Sequence, residues 1–374
     1  MTAPTSVVEL YTTATVLDGT GTTISTGANV VARVSDVTLD GVVLAELFTS
    51  DAQRATSLAA GEIDADTSAA IIAIYLQNPT VTGVLIIRVA GAGDYGIALT
   101  NAEVAGFRAP WDYQTLVIDD RAATATIAVA TWCETRRVLF IFQSSDADWL
   151  TAGGLPAAYA AGATLATRTK TAGLYEDTDA TQADAMWAGR IAGINPVLQR
   201  AASMIRVAGL SEYTTFLTAP QRGFLGANNC NFHFVITPQG TTRAIISDDA
   251  SGGLAVPQVM DGSASVALIR TIDYIEVDII VAMGELLDRL LALGLAIPAN
   301  DAGKAMILGE LATEVFTPAL QAGYITADVD LGLPYGYALT VTFGAGATPT
   351  ATVTGQVVYL GEVANLAVTV TLVS

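Results

Sequence analysis

Residues 115–142 read TLVIDDRAATATIAVATWCETRRVLFIF. Thr115 to Ile118 is a short, β-branched apolar run, and Arg137 to Phe142 is a second one. Between them, Ala122 to Thr135 has the length and the small and apolar residues of a buried helix. Two apolar strands joined through a helix lie parallel in one sheet, because a parallel pair needs a long crossover. The same alternation extends upstream. Ala65 to Leu76 predicts a helix stopped by Asn78-Pro79, and Val84 to Val89 predicts an apolar strand. Downstream, a strand at Thr171 to Tyr175 precedes a helix at Asp179 to Ile191. Ser211 to Gly226 reads as helix and Phe232 to Ile236 as strand. Strands alternating with helices imply a mostly parallel sheet covered on both faces.

The longest helical periodicity places Ile272, Ile275, Ile279, Met283, Leu286, Leu287, Leu290 and Leu291 on one face. Leu295 to Pro298 ends it. Asn300 or Asp301 caps a following helix from Ala302 to about Leu320, with Gly323 closing it and Pro318 kinking it or stopping it early. After Asp328 the period changes to two. Tyr337 to Phe343 and Thr352 to Leu360 alternate around a Gly/Ala/Thr/Pro turn, and Asn365 to Ser374 alternates to the last residue. Ser6 to Tyr11 is a shorter version at the other end, followed by the polar stretch Gly19 to Thr23. The fold class is therefore an α/β body with a mostly parallel sheet, plus β-rich segments and extended N- and C-terminal strand arms. The segments expected are an arm and linker over 1–28, an α/β region over 29–115, an α/β core over 116–363 with a hairpin near 337–360, and a strand arm over 364–374.

The chain has 374 residues, 52% of them hydrophobic, only 14% charged, and a net charge of −19. Its mean hydropathy of +0.48 has two readings: apolar surface kept for subunit interfaces, or a score raised by many small residues. Lys170 and Lys304 are the only lysines and the arginines are scattered, so no basic stripe for nucleic acid exists. The apolar helix from Ile269 to Ile297 carries Asp273, Glu276, Asp278, Glu285, Asp288 and Arg289, which argues against a membrane span. The start of the sequence lacks a signal-peptide pattern, and Cys133 and Cys230 form no CxxC pair, so free thiols in a reducing compartment are expected.

Chemistry is sparse. Gly91-Ala92-Gly93-Asp94-Tyr95-Gly96 matches GxGxxG after a strand, but Ile97 to Asn101 makes a poor start to an amphipathic helix, and Asp112 sits in a loop-like context. An ordinary glycine turn is the preferred reading, with a nucleotide-dependent α/β enzyme as the alternative. His233 is the single histidine, and no nucleophile elbow accompanies it. Asp64 and Asp66 read as first-turn helix acids rather than cation ligands, and Asp248-Asp249 continues into no calcium-loop pattern. No catalytic, cofactor-binding or metal-binding residue is assigned, and no enzymatic activity is expected.

Other stretches carry a resemblance. Arg270 to Asp278 ahead of the long helix, the turn Ile297-Pro298-Ala299-Asn300-Asp301-Ala302-Gly303, and the helix closing at Ala322-Gly323-Tyr324-Ile325 resemble the sheath subunits of contractile phage tails. Ala69 to Pro79 followed by Leu85-Ile86-Ile87-Arg88, Trp111-Asp112-Tyr113, Thr131 to Glu134, Leu217 to Gln221 and Asn228 to Phe232 are similar to further segments of that family, in the same order. The resemblance spans roughly residues 60 to 374.

The resemblance implies a structural subunit that polymerises helically around a tail tube and contracts to drive the tube through the host envelope. Its partners would be further copies of itself, the tail tube protein, and baseplate and tail terminator proteins, with no cofactor, no direct nucleic-acid contact and no membrane. It would belong to the virion tail sheath, be assembled in the host cytoplasm, and present residues 29–115 outward. On the residues alone, the terminal strands would complete a sheet inside one subunit. The resemblance implies instead that they add to sheets of neighbours. Val7, Val8 and Leu10 would belong to the N-terminal donated strand, and Leu366, Val368, Val370 and Leu372 to one face of the C-terminal one. The acceptor strands would carry Leu339, Val341 and Phe343, and Val353, Val357 and Tyr359.

Overall fold

The structure is a computed structural model that describes residues 7–13, 30–39, 44–89, 94–104, 113, 115–136, 138–153, 155–160, 165–194, 206–236, 243–247, 257–323, 325–330, 332–344, 350–359 and 362–371. The chain divides into two compact units. The first, here the body, comprises residues 27–195 and 199–269; the terminal unit comprises 1–26, 196–198 and 270–374.

The body is built on nine strands: β2 (Val30–Ser35), β3 (Ala45–Phe48), β4 (Gly83–Arg88), β5 (Thr115–Ile118), β6 (Leu139–Ser144), β7 (Thr171–Tyr175), β8 (Arg206–Val207), β9 (Cys230–Ile236) and β10 (Arg243–Ser247). Their order is β3-β4-β2-β5-β6-β7-β9-β10-β8. From β4 through β9 every neighbouring pair is parallel, while β3, β10 and β8 join antiparallel at the two ends. The connecting helices include α1 (Asp51–Ala60), α2 (Ala65–Tyr75), α3 (Tyr95–Val104), α4 (Ala123–Cys133), α5 (Ala157–Ala160), α6 (Ala183–Gly193) and α7 (Ala219–Ala227). Burial on both faces explains why these strands are continuous apolar runs: β2, β5, β6 and β7 are buried at every position. β5 lies between β2 and β6 in this sheet, and the body includes residues on both sides of position 115.

Several expectations need correction. A helix does follow the glycine loop, at Tyr95–Val104. The stretch from Ser211 is irregular until α7 begins at Ala219. There Thr218 and Gln221 form a capping box and Pro220 sits in the first turn. The preceding residues are held by side chains instead: the Tyr213 hydroxyl donates to the Tyr175 carbonyl, and Thr214 N–H donates to Asp177.

The terminal unit contains most of α8 (Val266–Ala292), from Arg270 onward, then α9 (Asp301–Leu311), a π-helical turn (Ala312–Phe316) and α10 (Thr317–Ala322). Asn300 caps α9 by accepting from the N–H groups of Ala302 and Gly303, and Gly323 closes α10 with φ 79°. Pro318 does not stop the helix, because the widened π turn just before it carries the chain through. Four strands follow the unit's own order, with β1 (Val7–Thr13), β13 (Glu362–Thr371), β12 (Thr350–Tyr359) and β11 (Tyr337–Gly344) side by side.

Candidate functional site

The terminal sheet brings together the strands that the sequence marks as adhesive. β11 and β12 form an antiparallel hairpin in which Val341 stands opposite Val353 and Leu339 opposite Gly355. β13 pairs antiparallel with β12 over its whole length, from Thr350 opposite Thr371 to Tyr359 opposite Glu362. β1 lies beyond β13 and parallel to it, with Leu10 opposite Leu366 and Val8 opposite Ala364. Val341, Val353 and Val368 therefore share one register line across three strands, and all three are buried. Burying one valine contributes about 1.5–3 kcal/mol. Two strands alone are marginal in water, and β13 adds a third strand that covers the free edge of β12.

Of the expected arm residues, Val8 and Leu10 fall at alternate register positions opposite Ala364 and Leu366, while Val7 stands opposite Val363, one step out of phase. Leu366, Val368 and Val370 stand opposite Gly355, Val353 and Ala351. Leu372 lies outside the described residues. Of the expected acceptor residues, Val353, Val357 and Tyr359 are on β12, which β13 joins directly. Leu339, Val341 and Phe343 are on β11, one strand further away. All these pairings lie within the single chain.

Two features were not read from the sequence. A Cβ on Gly355 would lie 2.3 Å from the Ala338 carbonyl oxygen, so a larger residue there would force β11 and β12 to shift. Phe316 in the π turn stacks on Tyr337 at the start of β11, with ring centroids 4.5 Å apart, and α9 packs beside the same strand. A glycine inside a period-two strand is the signal that could have found the first. The second joins residues 21 positions apart across the α10 connection, and no local pattern encodes it. From residue 305 to the end the chain has no lysine or arginine, only Glu310, Glu314, Asp328, Asp330 and Glu362.

The glycine loop gives a different kind of site. The switch point of this sheet, the usual place for a nucleotide, lies between β2 and β5, and the glycine loop follows β4, one strand away from it. Gly91 and Gly93 lie outside the described residues. At the start of α3, however, the Asp94 carboxylate accepts the Ile97 N–H at 2.9 Å, which puts a negative charge where a phosphate would bind. Asp119, just past β5, accepts from the Tyr95 hydroxyl and from Asp36 N–H, both at 2.7 Å. These groups satisfy one another and repel an anionic ligand.

His233 is buried in β9. Its Nε2 is 2.8 Å from the Ser211 carbonyl and its Nδ1 is 3.6 Å from Glu176 Oε2. Burial lowers the His233 pKa from its ordinary value and pushes Glu176 up to about 8. A cavity of about 100 Å³ beside His233 is lined by Glu212, Arg222 and aromatic and aliphatic side chains, with no serine, threonine, cysteine or lysine among them. Cys133 and Cys230 are both buried free thiols, and burial raises both pKa values, which keeps them protonated and unreactive. Among the described residues no three His, Cys, Asp or Glu side chains converge as a cation site requires, and no helix is long and apolar enough to cross a membrane.

No protein-family model matches the sequence, and no curated protein matches it. Solved structures do. The contracted helical sheath of the anti-feeding prophage, determined by cryo-electron microscopy, is similar over 96% of this chain and 95% of its own, with a TM-score of 0.55 and 14% identity. The crystal structure of the sheath tail protein Lin1278 from Listeria innocua is similar over 93% of this chain and 98% of its own, with a TM-score of 0.60 and 10% identity. The chain thus has the fold of contractile-sheath proteins along nearly its full length.

Proposed function

We propose that this chain is the structural subunit of a contractile tail sheath. One observation carries the reading: in a chain with the sheath fold, the first and last strands in sequence, β1 and β13, complete the β11–β12 hairpin into a four-stranded sheet. A slot for β13 on β12 accepts any strand of that sequence, whether from the same chain or from another copy, because the hydrogen bonds and register are identical. In the assembled sheath, the C-terminal segment carrying Leu366, Val368, Val370 and Leu372 adds to the β12 of one neighbour, and β1 with Val7, Val8 and Leu10 adds beside a β13. Such donation does not close on itself, and it generates an open helical polymer.

The polymer surrounds a tail tube and ends on baseplate and terminator proteins. On triggering, the bodies rotate and slide into new contacts while the strands keep copies linked, and the tube is driven through the host envelope during genome ejection. The energy resides in a metastable packing, which requires no nucleotide hydrolysis. The subunit belongs to the virion tail and assembles in the host cytoplasm. Negative-stain electron microscopy of the purified protein tests this: hollow tubes or stacked rings are expected, and compact monodisperse particles contradict it. The nucleotide-enzyme reading retains the strand–glycine loop–helix arrangement in its favour. Micromolar binding of NAD or ATP in calorimetry would establish it, and the Asp94 and Asp119 carboxylates predict none.

A further inference from the structure

The apolar face of the terminal sheet is sorted by residue size. Four register lines cross β11, β12 and β13 on that face: Tyr337–Val357–Ala364, Leu339–Gly355–Leu366, Val341–Val353–Val368 and Phe343–Ala351–Val370. Val341, Ala351, Val353, Val357 and Val368 on these lines are buried. Each line with an aromatic residue or a leucine also holds alanine or glycine, and the remaining line is three valines. Large residues set against small ones let a layer fill evenly. Between β11 and β12 the fit is tight. A Cβ on Gly355 would lie 2.7 Å from Leu339 Cδ2, so this leucine already leans across the glycine. The line that reaches a second leucine, Leu366 on β13, is the one whose middle position has no side chain.

Alternation alone does not fix this pairing. A one-residue slip of β13 would turn its apolar residues to the side where Thr340, Thr342 and Thr354 are exposed. A two-residue slip keeps every residue on its own face. Size excludes both two-residue slips. One of them creates the line Tyr337–Val357–Leu366, which has no small member. The other moves Leu366 onto the Val341–Val353 line, leaves Ala364 opposite Gly355, and sets Glu362 opposite Val357. The first overfills a layer, and the second leaves a void and brings a carboxylate to an apolar face.

We infer that residue size on this face, chiefly Ala364 and Leu366 against Val357 and Gly355, selects the single register in which the C-terminal strand enters the slot on β12. The selection works in the same way for a strand from the same chain and for one from another copy. Its consequence for assembly rests on the strand-donation reading. A two-residue slip would displace linked copies by about 7 Å along the strand, so a single register gives every link the same length.

Disulfide trapping in the full chain tests this. Thr354→Cys with Ala367→Cys reports the observed register, in which these positions stand opposite one another. Thr354→Cys with Thr369→Cys reports the slip that brings Leu366 to Val357, and Thr354→Cys with Asn365→Cys reports the other slip. Cys133 and Cys230 are buried. After mild oxidation, peptide mapping should find the first link about tenfold above either of the others. Leu366→Ala should then move the strand by two residues. Alanine at 366 takes the place of Ala364 beside Val357, and Val368 takes that of Leu366 beside Gly355, so the second link rises about tenfold and the first falls. Leu366→Met conserves volume, and Val370→Ala removes volume without recreating the size pattern. Both should keep the first link dominant. Slipped links as frequent as the first in the parent overturn the inference. So does a Leu366→Ala chain that keeps the first link dominant, or that loses it without gaining the second. Links confined to single chains within tubes contradict the donation and leave the size selection standing.

Discussion

The body's parallel sheet and the terminal sheet are both four or more strands wide, yet they are held together in different ways. In the body β4, β5, β6 and β7 each have a helix before and after them in sequence, so none of these can leave without displacing the helices that cover the sheet. In the terminal sheet two of the four strands are chain ends. β1 can leave by breaking the one ladder it makes with β13, and β13 by breaking its ladders with β1 and β12; the departure of both uncovers β12 rather than a core of helices. The difference separates a rigid block from an exchangeable fastening within one polypeptide. A sheath subunit of the kind proposed above would need both.

Removing residues 364–374 breaks the comparison most strongly. It deletes nearly all of β13 and the partner of β1, and it should abolish tube formation completely while the body keeps its cooperative melting transition. Calorimetry and electron microscopy of the truncated chain check this, and tubes formed by it would show that the fastening lies elsewhere.

The next effect is confined to the body. A Cβ on Gly189 of α6 would lie 2.7 Å from the Ile74 carbonyl oxygen and 2.8 Å from Ile74 Cα. Gly189→Ala therefore forces α6 away from α2, and should cost about 3 kcal/mol in denaturant unfolding. An unchanged midpoint would mean that the two helices are less tightly apposed than they stand here.

A smaller effect comes from Glu176. Its folded pKa of about 8 lies above its ordinary value of 4.5. The folded state thus holds a proton that the unfolded state releases, so this contribution is fully present below pH 4.5 and is lost as pH rises through 8. His233 works in the opposite sense. Its lowered folded pKa gives stability that is present above 6.5 and lost as pH falls through the folded value. Above pH 6.5 only the Glu176 effect remains. The body should lose about 2 kcal/mol between pH 6.5 and 8, and Glu176→Gln should flatten that slope. A variant as pH-sensitive as the parent would place the titration at another group.

The smallest effect sharpens the other side. Gly355→Ala presses a methyl group on the Ala338 carbonyl, but a hairpin can shift where a packed body cannot. About 1 kcal/mol is expected, read as weaker assembly at an unchanged melting temperature of the body.

The sequence displays these two regions unequally. The body is legible because strands buried on both faces leave continuous apolar runs such as Val84 to Val89, and helices between them leave small-residue stretches such as Ala122 to Thr135. It misleads where side chains replace the backbone ladder. Tyr213 and Thr214 tie down a segment that composition reads as helix, and α3 is hidden because Asp94 caps it from within a glycine loop. The terminal strands are plain from period two alone. Their order is not, since alternation gives each strand two faces and says nothing of its neighbour. That β12, rather than β11, receives β13 is set by the antiparallel register that runs from Tyr359 opposite Glu362 to Thr350 opposite Thr371, which no hydrophobic pattern encodes.

The central claim is that β13 finds its mate on another copy once the polymer forms. A cryo-electron microscopy map of the assembled protein, traced from Tyr359 into residues 362–371, tests it most directly. The account predicts density that leaves its own hairpin and joins the β12 of an adjacent subunit. Density that folds back onto its own β12 throughout the polymer would contradict it.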